Sequence, residues 1–284
     1  MAAKRYKRRK RRGGGGFILS VLTFCVVVGA IITSLTVFLK VAEIEVSGTT
    51  RYEASDIIKT SGIQTGDNMF MINKFDVAEK ILDEYPYIEQ IKIRRRLPDV
   101  FTFEITERKP AAYIMSGESR WLIDKNAYIL QFVKKDEEIN FPKITGAEVV
   151  TPRAGIRLIL KNETQLPVLC EVLSALDGTE ISSSVKRIEI DKLYDINLIY
   201  GDRFRVVMGD TSSLSKKVEM LRAVVAELSD FDKGTINVSA VKEARFKPNS
   251  SIDLSEKESQ PETTQTTPER DLSDENSAEE NVQE

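Results

Sequence analysis

The 284-residue sequence contains no histidine and only two cysteines. Without histidine, the chain lacks the usual general base of serine and cysteine nucleophiles and the commonest protein ligand of transition metals. Cys25 lies in a long apolar run and Cys170 lies far downstream, so neither an intramolecular disulfide nor a cysteine zinc site is expected. We therefore predict a fold without disulfides, metals or cofactors, and no small-molecule substrate.

Acidic residues are absent before Glu43, which makes the charge distribution strongly uneven. The net charge of −3 combines eight N-terminal basic residues with a balance of −11 elsewhere, where 33 basic residues face 44 acidic ones. The N-terminal basic residues are Lys4, Arg5, Lys7, Arg8, Arg9, Lys10, Arg11 and Arg12. Residues 249–284 carry eleven acids and two bases among many Ser, Thr, Gln and Pro residues, which predicts a disordered acidic tail.

Charged residues are also missing from the 23 residues between Phe17 and Leu39. A helix of this length crosses a hydrocarbon core of ~30 Å at about 1.5 Å per residue. The basic segment at 1–16 then acts as a topology signal that keeps the N-terminus in the cytoplasm, and no nucleic-acid binding is needed to explain it. An uncleaved anchor is favoured, because a cleaved signal peptide has a shorter apolar core and an Ala-x-Ala-like exit.

Residues 41–112 alternate between strand and helix patterns. Apolar residues recur with a period of two, which predicts three strands, at Ala42–Val46, Ile91–Ile93 and Phe101–Ile105. Leu97-Pro98-Asp99 predicts the turn between the last two strands, and Phe101 and Phe103 are predicted to lie in the core.

Two short helices are predicted between the first and second of these strands. The first contains Ile57 and Ile58, ends at Gly62, and has Thr50 and Glu53 as a predicted capping box. The second is predicted to start at the cap Asn73 and to bury one face, formed by Phe75, Ala78, Ile81 and Leu82.

The resulting order, strand–helix–helix–strand–strand, resembles a POTRA domain. Four fragments resemble the POTRA domain of one family, the FtsQ/DivIB bacterial cell-division proteins. They are I-E-V-S-G at 44–48, G-D-N-M-F-M-I-N at 66–73, Y-P-Y-I at 85–88 and L-P-D-V-F-T-F-E-I-T-E-R-K-P-A-A at 97–112. Their order and spacing, directly after one membrane segment, carry the resemblance.

Residues 113–248 are predicted to form a second, strand-rich domain with two helices. A hairpin is predicted at 121–130, a loop at 141–146, and strands at 157–160, 185–190, 196–200, 204–208 and 235–239. The helices are predicted to begin at Pro167, ending near Gly178, and to span Leu214 to Leu228. The predicted fold is thus α+β: a transmembrane helix, a βααββ POTRA domain and a β-domain. This second region also resembles the FtsQ/DivIB family, through W-L-I-D-K-N-A-Y at 121–128, F-P-K-I-T-G at 141–146, the 209–228 passage and G-T-I-N-V-S at 234–239.

The resemblance implies a non-catalytic scaffold of the divisome at the bacterial plasma membrane. Family members are expected to bind FtsL-like and FtsB/DivIC-like bitopic proteins, and thereby to support septal peptidoglycan synthases. The family uses the C-terminal end of the β-domain for this contact, so a C-terminal edge strand is the predicted site. Its candidate residues are Thr235, Ile236, Asn237, Val238, Ser239 and Phe246, with the alternative that the apolar ones face the protein's own core.

Three other interpretations remain open at this stage. Arg94, Arg95 and Arg96 are either a docking patch for an acidic partner or the solvated end of a strand. A POTRA-bearing transport or chaperone module is one alternative function. The other is an extracytoplasmic acyltransferase, based on the Ser-x-x-Lys pattern of Ser213 and Lys216, although Lys233-Gly234-Thr235 has the second motif's letters in the wrong order.

Overall fold

The computed structural model describes residues 15–249, which belong to one compact unit. Helix α1 (Gly15–Phe38) covers the predicted membrane segment 17–39 except for its last residue, and its mean hydropathy is 2.5 over residues 16–34. It is long and apolar enough for a single span. The basic run at 1–12 and the predicted tail beyond Asn249 lie outside the described residues.

The N-terminal sheet follows α1 and has three strands with two helices packed on one face. Its elements are β1 (Glu43–Ser47), α2 (Ala54–Ser61), α3 (Lys74–Glu84), β2 (Ile88–Arg96) and β3 (Val100–Glu107). The sheet order is β1–β3–β2, with β1 parallel and β2 antiparallel to the central strand. The predicted order strand–helix–helix–strand–strand is confirmed.

Apolar residues from all five elements form the core of this region. Phe101 and Phe103 are fully buried, with ring centroids 5.9 Å apart in an edge-to-face arrangement. Ile57 of α2 and Ile81 of α3 are also fully buried against them. The prediction that the two phenylalanines lie in the core is therefore confirmed, as is the helix stop at Gly62, which takes a left-handed conformation.

Two details of the predicted helices differ in the structure. Glu53 is the N-cap of α2, and Thr50 bonds to Glu107 of β3, so the capping box is wrong. In α3 the cap at Asn73 is confirmed, because its side chain accepts the amide of Phe75 at 3.1 Å. Phe75 itself is exposed, however, and Val77 takes the buried position because α3 meets the sheet through a rotated face.

Glu107 holds the loop between β1 and α2. Its Oε1 accepts hydrogen bonds from the Thr49 hydroxyl at 2.6 Å and from the backbone amides of Thr50 and Arg51 at 2.8 and 3.0 Å. Its Oε2 accepts from the Thr50 hydroxyl at 3.1 Å. Partial burial acts to raise the pKa of Glu107, but these hydrogen bonds outweigh it and lower the pKa from 4.5 to about 2.

We expect Glu107→Gln to lower the free energy of unfolding by about 1–2 kcal/mol at neutral pH, after allowance for solvent screening. The amide offers one acceptor oxygen where the carboxylate offers two. Because the folded-state pKa is depressed, the carboxylate's contribution is complete above pH 4.5 and is lost as the pH falls towards about 2. Urea titrations of the full chain across this pH range should therefore show a flatter acid profile for the variant. Glu104→Gln, at an exposed ion pair with Arg94, is the control; an equal loss there would contradict the prediction.

The C-terminal sheet has nine strands in the order β12–β11–β10–β9–β8–β7–β4–β5–β6. The strands are β4 (Pro110–Ser116), β5 (Ser119–Asp124), β6 (Ile129–Val133), β7 (Lys143–Thr145), β8 (Val185–Glu189), β9 (Ile196–Tyr200), β10 (Phe204–Gly209), β11 (Gly234–Asn237) and β12 (Arg245–Pro248). The helices are α4 (Gln165–Leu176), a 3₁₀ turn at Glu180–Ser184, and α5 (Leu214–Glu227). The α+β fold class is confirmed.

Both helices bury apolar faces in the core of this sheet. Leu169 and Val172 of α4 and Val218 and Leu221 of α5 contribute buried side chains. The hairpin predicted at 121–130 is confirmed by antiparallel pairing of β5 with β6, and the strands predicted at 196–200 and 204–208 pair antiparallel as β9 and β10. The spacing of apolar residues thus predicted these elements from short-range pattern alone.

Three predictions in this region are corrected. The predicted loop at 141–146 contains β7, whose Ile144 is buried between the parallel neighbours β4 and β8. The strand predicted at 157–160 is absent from the described residues, where this segment makes only isolated bridges to Tyr128 and Val149. Helix α4 begins at Gln165, two residues before Pro167, because proline fits inside a first helical turn.

A buried ion pair joins the two sheets. Arg108, next after β3, places its Nη1 2.7 Å from Oδ2 of Asp124 at the end of β5, and the two side chains are only 10% and 3% exposed. The Arg108 guanidinium also stacks 3.8 Å from the ring centroid of Tyr128. Asp124 Oδ1 accepts the backbone amides of Asn126 and Tyr128, so both carboxylate oxygens are satisfied.

Candidate partner-binding edge

The stretch predicted as the C-terminal edge strand is not at the edge. β11 lies between β10, to which it is parallel, and β12, to which it is antiparallel. Thr235, Ile236 and Asn237 belong to β11, and the amide of Val238 donates to Val207 of β10 at 3.0 Å. The prediction that residues 235–239 form the edge is therefore wrong. Residues 245–248, for which no strand was predicted, form one more strand outside β11.

The side chains of β11 and of the two residues after it divide between core and solvent as the alternation predicts. Ile236 and Val238 are fully buried in the core of the C-terminal sheet, while Asn237 and Ser239 are exposed. Asn237 Oδ1 accepts the amide and the hydroxyl of Ser239 at 3.0 and 2.7 Å. Ile236 and Val238 of the predicted site therefore face the protein's own core, so their side chains are unavailable to a partner without unfolding.

Within residues 15–249, β12 forms the open edge at this end of the C-terminal sheet, and the hydrogen-bond register shows which of its backbone groups point outward. The amides of Gly234 and Val238 point to β10, so Thr235 and Asn237 are the β11 residues whose backbone groups point to β12. Their register partners are Lys247 and Arg245, and Asn249 likewise donates to Lys233 at 3.0 Å. Since backbone direction alternates along a strand, the N–H and C=O of Phe246 face outward.

Pro248 limits this edge to a short length. It has no N–H, so beside Phe246 it presents only a carbonyl, which is one way natural edges are protected against indiscriminate pairing. On the exposed side, Arg245 pairs with Glu243 at 3.0 Å, and Lys247 is exposed. Exposed pairs of this kind contribute little to stability, so the Arg245 guanidinium can exchange its partner for another carboxylate.

Gly234 allows β12 to reach this position. The Phe246 ring packs edge-to-face on Phe204, with centroids 6.0 Å apart. A Cβ on Gly234 would lie 2.2 Å from the Lys247 carbonyl oxygen and 2.8 Å from the Phe246 ring. The glycine is thus required by close approach of backbone to backbone, and Lys233-Gly234-Thr235 has a structural role.

The arginine run at 94–96 lies at one end of the N-terminal sheet, on two different faces. Arg94 and Arg96 are exposed and pair with Glu104 at 3.3 Å and Glu45 at 2.7 Å. Arg95 turns to the helix face, where Nη2 donates to the Ile72 carbonyl at 2.9 Å. The run is therefore not a single cationic patch, and a docking role for it stays a prediction.

The residues of the acyltransferase alternative lie at the start of α5. Ser213 is the N-cap in a left-handed conformation without a side-chain cap bond, and Lys216 is exposed. The neighbouring Lys217 is fully buried instead, with its ammonium 2.8 Å from Asp210 Oδ1. Within residues 15–249, no three histidine, cysteine or acidic side chains meet in a group that could hold a metal ion.

β12 was not among the strands predicted from the sequence, although a signal for it was present. Arg245, Phe246, Lys247 and Pro248 alternate polar with apolar residues, and the proline marks an edge or a strand end. Four residues are too few for such a pattern to stand out, so the strand depends on its pairing with β11.

Comparison with known proteins gives one consistent result. The family model for the "POTRA domain, FtsQ-type" matches residues 39–108. Cell division protein FtsQ of Corynebacterium glutamicum is 27% identical over 189 residues, 66% of this chain and 79% of the relative. Cell division protein DivIB of Clostridium acetobutylicum is 25% identical over 205 residues, 71% of this chain and 80% of the relative. The extracytoplasmic domain of DivIB from Geobacillus stearothermophilus aligns over 44% of this chain and 99% of that domain, at 12% identity, but its TM-score of 0.27 is too low to support an argument.

Proposed function

Because the chain belongs to the FtsQ/DivIB family of cell-division proteins, we propose that it is a non-catalytic, membrane-anchored scaffold of the divisome. α1 anchors it in the plasma membrane, with the basic N-terminus in the cytoplasm and both sheets outside. We propose a POTRA domain up to about residue 112, a β-domain up to 248 and an acidic tail beyond. The protein acts at the division septum, where its surfaces recruit other membrane proteins.

The open edge of β12 is the observation that carries this proposal. An extended segment of a partner pairs with the outward N–H and C=O of Phe246, which adds a further strand to the C-terminal sheet. Lys247 and the exchangeable Arg245 lie on the exposed side of that strand, so they favour a segment with acidic side chains. The partners are FtsL-like and FtsB/DivIC-like bitopic proteins, and through them septal peptidoglycan synthases.

Substitutions at Phe246 separate backbone pairing from side-chain packing. We expect Phe246→Pro to weaken binding of the FtsL- and DivIC-like proteins at least about tenfold, or ~1.4 kcal/mol, because it removes the outward N–H. Phe246→Leu keeps the N–H and an apolar side chain, so its affinity should remain within about threefold of the original. The measurement is a titration of the full chain in lipid nanodiscs with the partners, singly and together, by calorimetry.

Thermal unfolding of each variant serves as the folding control. If Phe246→Pro remains folded and binds as tightly as Phe246→Leu, then the edge of β12 is not the binding site. If the unsubstituted chain binds neither partner in any combination, the scaffold function itself is wrong.

A further inference from the structure

Four large apolar side chains are exposed around one end of the N-terminal sheet. Phe70 and Met71 lie in the loop before α3, Phe75 in its first turn, and Leu97 in the turn between β2 and β3. Their exposed fractions are 56%, 79%, 86% and 60%. Single exposed apolar residues are ordinary, but several at one end of a domain mark a surface that meets something apolar.

Contacts of the loop and the turn place this apolar end beside the exit of the membrane helix. The amide of Met69 donates to the carbonyl of Leu39, the residue after α1, at 3.1 Å. The next residue, Lys40, forms a bridge with Asn68. The amide of Ala42 donates to Asp99 at 2.8 Å, which brings the turn that contains Leu97 to the same end.

The apolar end is therefore at the level of the bilayer surface. α1 has 24 residues, which at about 1.5 Å each span ~36 Å, slightly more than the ~30 Å hydrocarbon core. The headgroup layer adds roughly 5–7 Å on each side. Phe70 and Met71 follow Met69 directly, and consecutive Cα atoms are about 3.8 Å apart, so their Cα atoms lie at most about 3.8 and 7.6 Å from that of Met69, which is hydrogen-bonded to Leu39.

From this position, and on the basis that α1 spans the bilayer, we propose that Phe70, Met71, Phe75 and Leu97 insert into the lipid headgroup layer and seat the POTRA domain on the membrane. The occupant of the patch is phospholipid of the same bilayer. The contact goes beyond partner binding by β12, since it sets the orientation in which the folded region leaves the membrane.

Basic groups lie around the apolar end and favour a phosphate-rich surface. Arg95 lies 5.3 Å from the centroid of the Phe70 ring, and Lys40 is exposed beside the loop. Asp67 and Asp99 lie near the same loop and turn, and they offset part of this positive charge. Apolar insertion is therefore the main contribution, and the contact should form on neutral lipid as well as on anionic lipid.

Fluorescence depth measurements on the full chain in lipid nanodiscs test this proposal. A bimane label is placed at Met71→Cys in a Cys25→Ser, Cys170→Ser background. Phe231→Cys, at an aromatic residue of the α5–β11 loop that is 92% exposed, is the matched control. Nitroxide lipids labelled near the headgroup report contact with the membrane, and iodide reports contact with water. Leu97→Cys repeats the measurement without altering Phe70 or Met71.

We expect nitroxide lipid to quench the label at 71 and at 97 at least about threefold more than the label at 231, with the reverse order for iodide. The result should hold in phosphatidylcholine discs. Iodide quenching at 71 equal to that at 231 would overturn the proposal, and so would loss of lipid quenching in neutral discs. Protection from iodide without lipid quenching would assign the patch to a second copy of the chain and would equally overturn it. None of these results depends on whether β12 binds a partner.

Discussion

Replacing Arg108 with alanine is expected to lower the free energy of unfolding by about 3–5 kcal/mol. The variant leaves the carboxylate of Asp124, which is 3% exposed, in the interior without its counter-charge. It also removes the guanidinium that stacks on Tyr128. The backbone amides of Asn126 and Tyr128 still satisfy one carboxylate oxygen, so the loss should fall towards the lower end of this range.

Urea unfolding of the full chain, followed by circular dichroism, measures this effect. Arg94→Ala breaks the exposed pair with Glu104 and should change the free energy by less than about 0.5 kcal/mol. Arg108→Lys keeps the positive charge but loses the planar stacking on Tyr128. The decrease in its free energy of unfolding should therefore lie between those of Arg108→Ala and Arg94→Ala. If Arg108→Ala and Arg94→Ala lowered the free energy of unfolding by the same small amount, the buried pair would contribute no more than a surface pair.

The second large effect is expected for Gly234→Ala. The added Cβ would lie 2.2 Å from the Lys247 carbonyl oxygen, and this backbone atom cannot rotate away. We expect β12 to be displaced, the free energy of unfolding to fall by about 1–3 kcal/mol, and partner affinity to fall at least about tenfold. Because the N-terminal sheet has its own core, it should remain folded.

Hydrogen exchange followed by mass spectrometry distinguishes this local change from general unfolding. Peptides that cover residues 243–249 should lose protection in Gly234→Ala, while those of β2 and β3 keep it. Thr235→Ala, at the half-buried neighbouring position, is the control and should leave β12 protected. Full protection of β12 in Gly234→Ala would show that the strand accommodates the methyl group.

Features that depend on neighbouring residues were predicted correctly from the sequence, whereas features that depend on contacts between distant residues were not. Phe101 and Phe103 were predicted correctly as core residues, because alternation along one strand is a short-range pattern. The cap at Asn73 was predicted correctly for the same reason. The capping box failed because Glu107, from a position more than 50 residues away, supplies the acceptors that bind Thr50.

The fragment E-R-K-P-A shows the same limit at the level of a motif. Its letters contributed to the family resemblance, but they did not reveal what each residue contacts. In the structure Glu107 holds the loop after β1, and the adjacent Arg108 pairs with Asp124 of the other sheet. Two neighbouring residues thus stabilise two different regions. This arrangement depends on contacts with segments that are distant in sequence.

The sequence by itself determined the long apolar helix, the order of elements in the N-terminal sheet, the α+β class and the similarity to FtsQ and DivIB proteins. These properties rest on the length of apolar runs and on periodicities of two and 3.6 residues, which are local. Only the tertiary structure decided that β12 rather than β11 forms the edge, and that Phe70 and Met71 lie beside the exit of α1. Both depend on pairings between distant segments, and the free energy of such pairings comes from the packing of the whole chain.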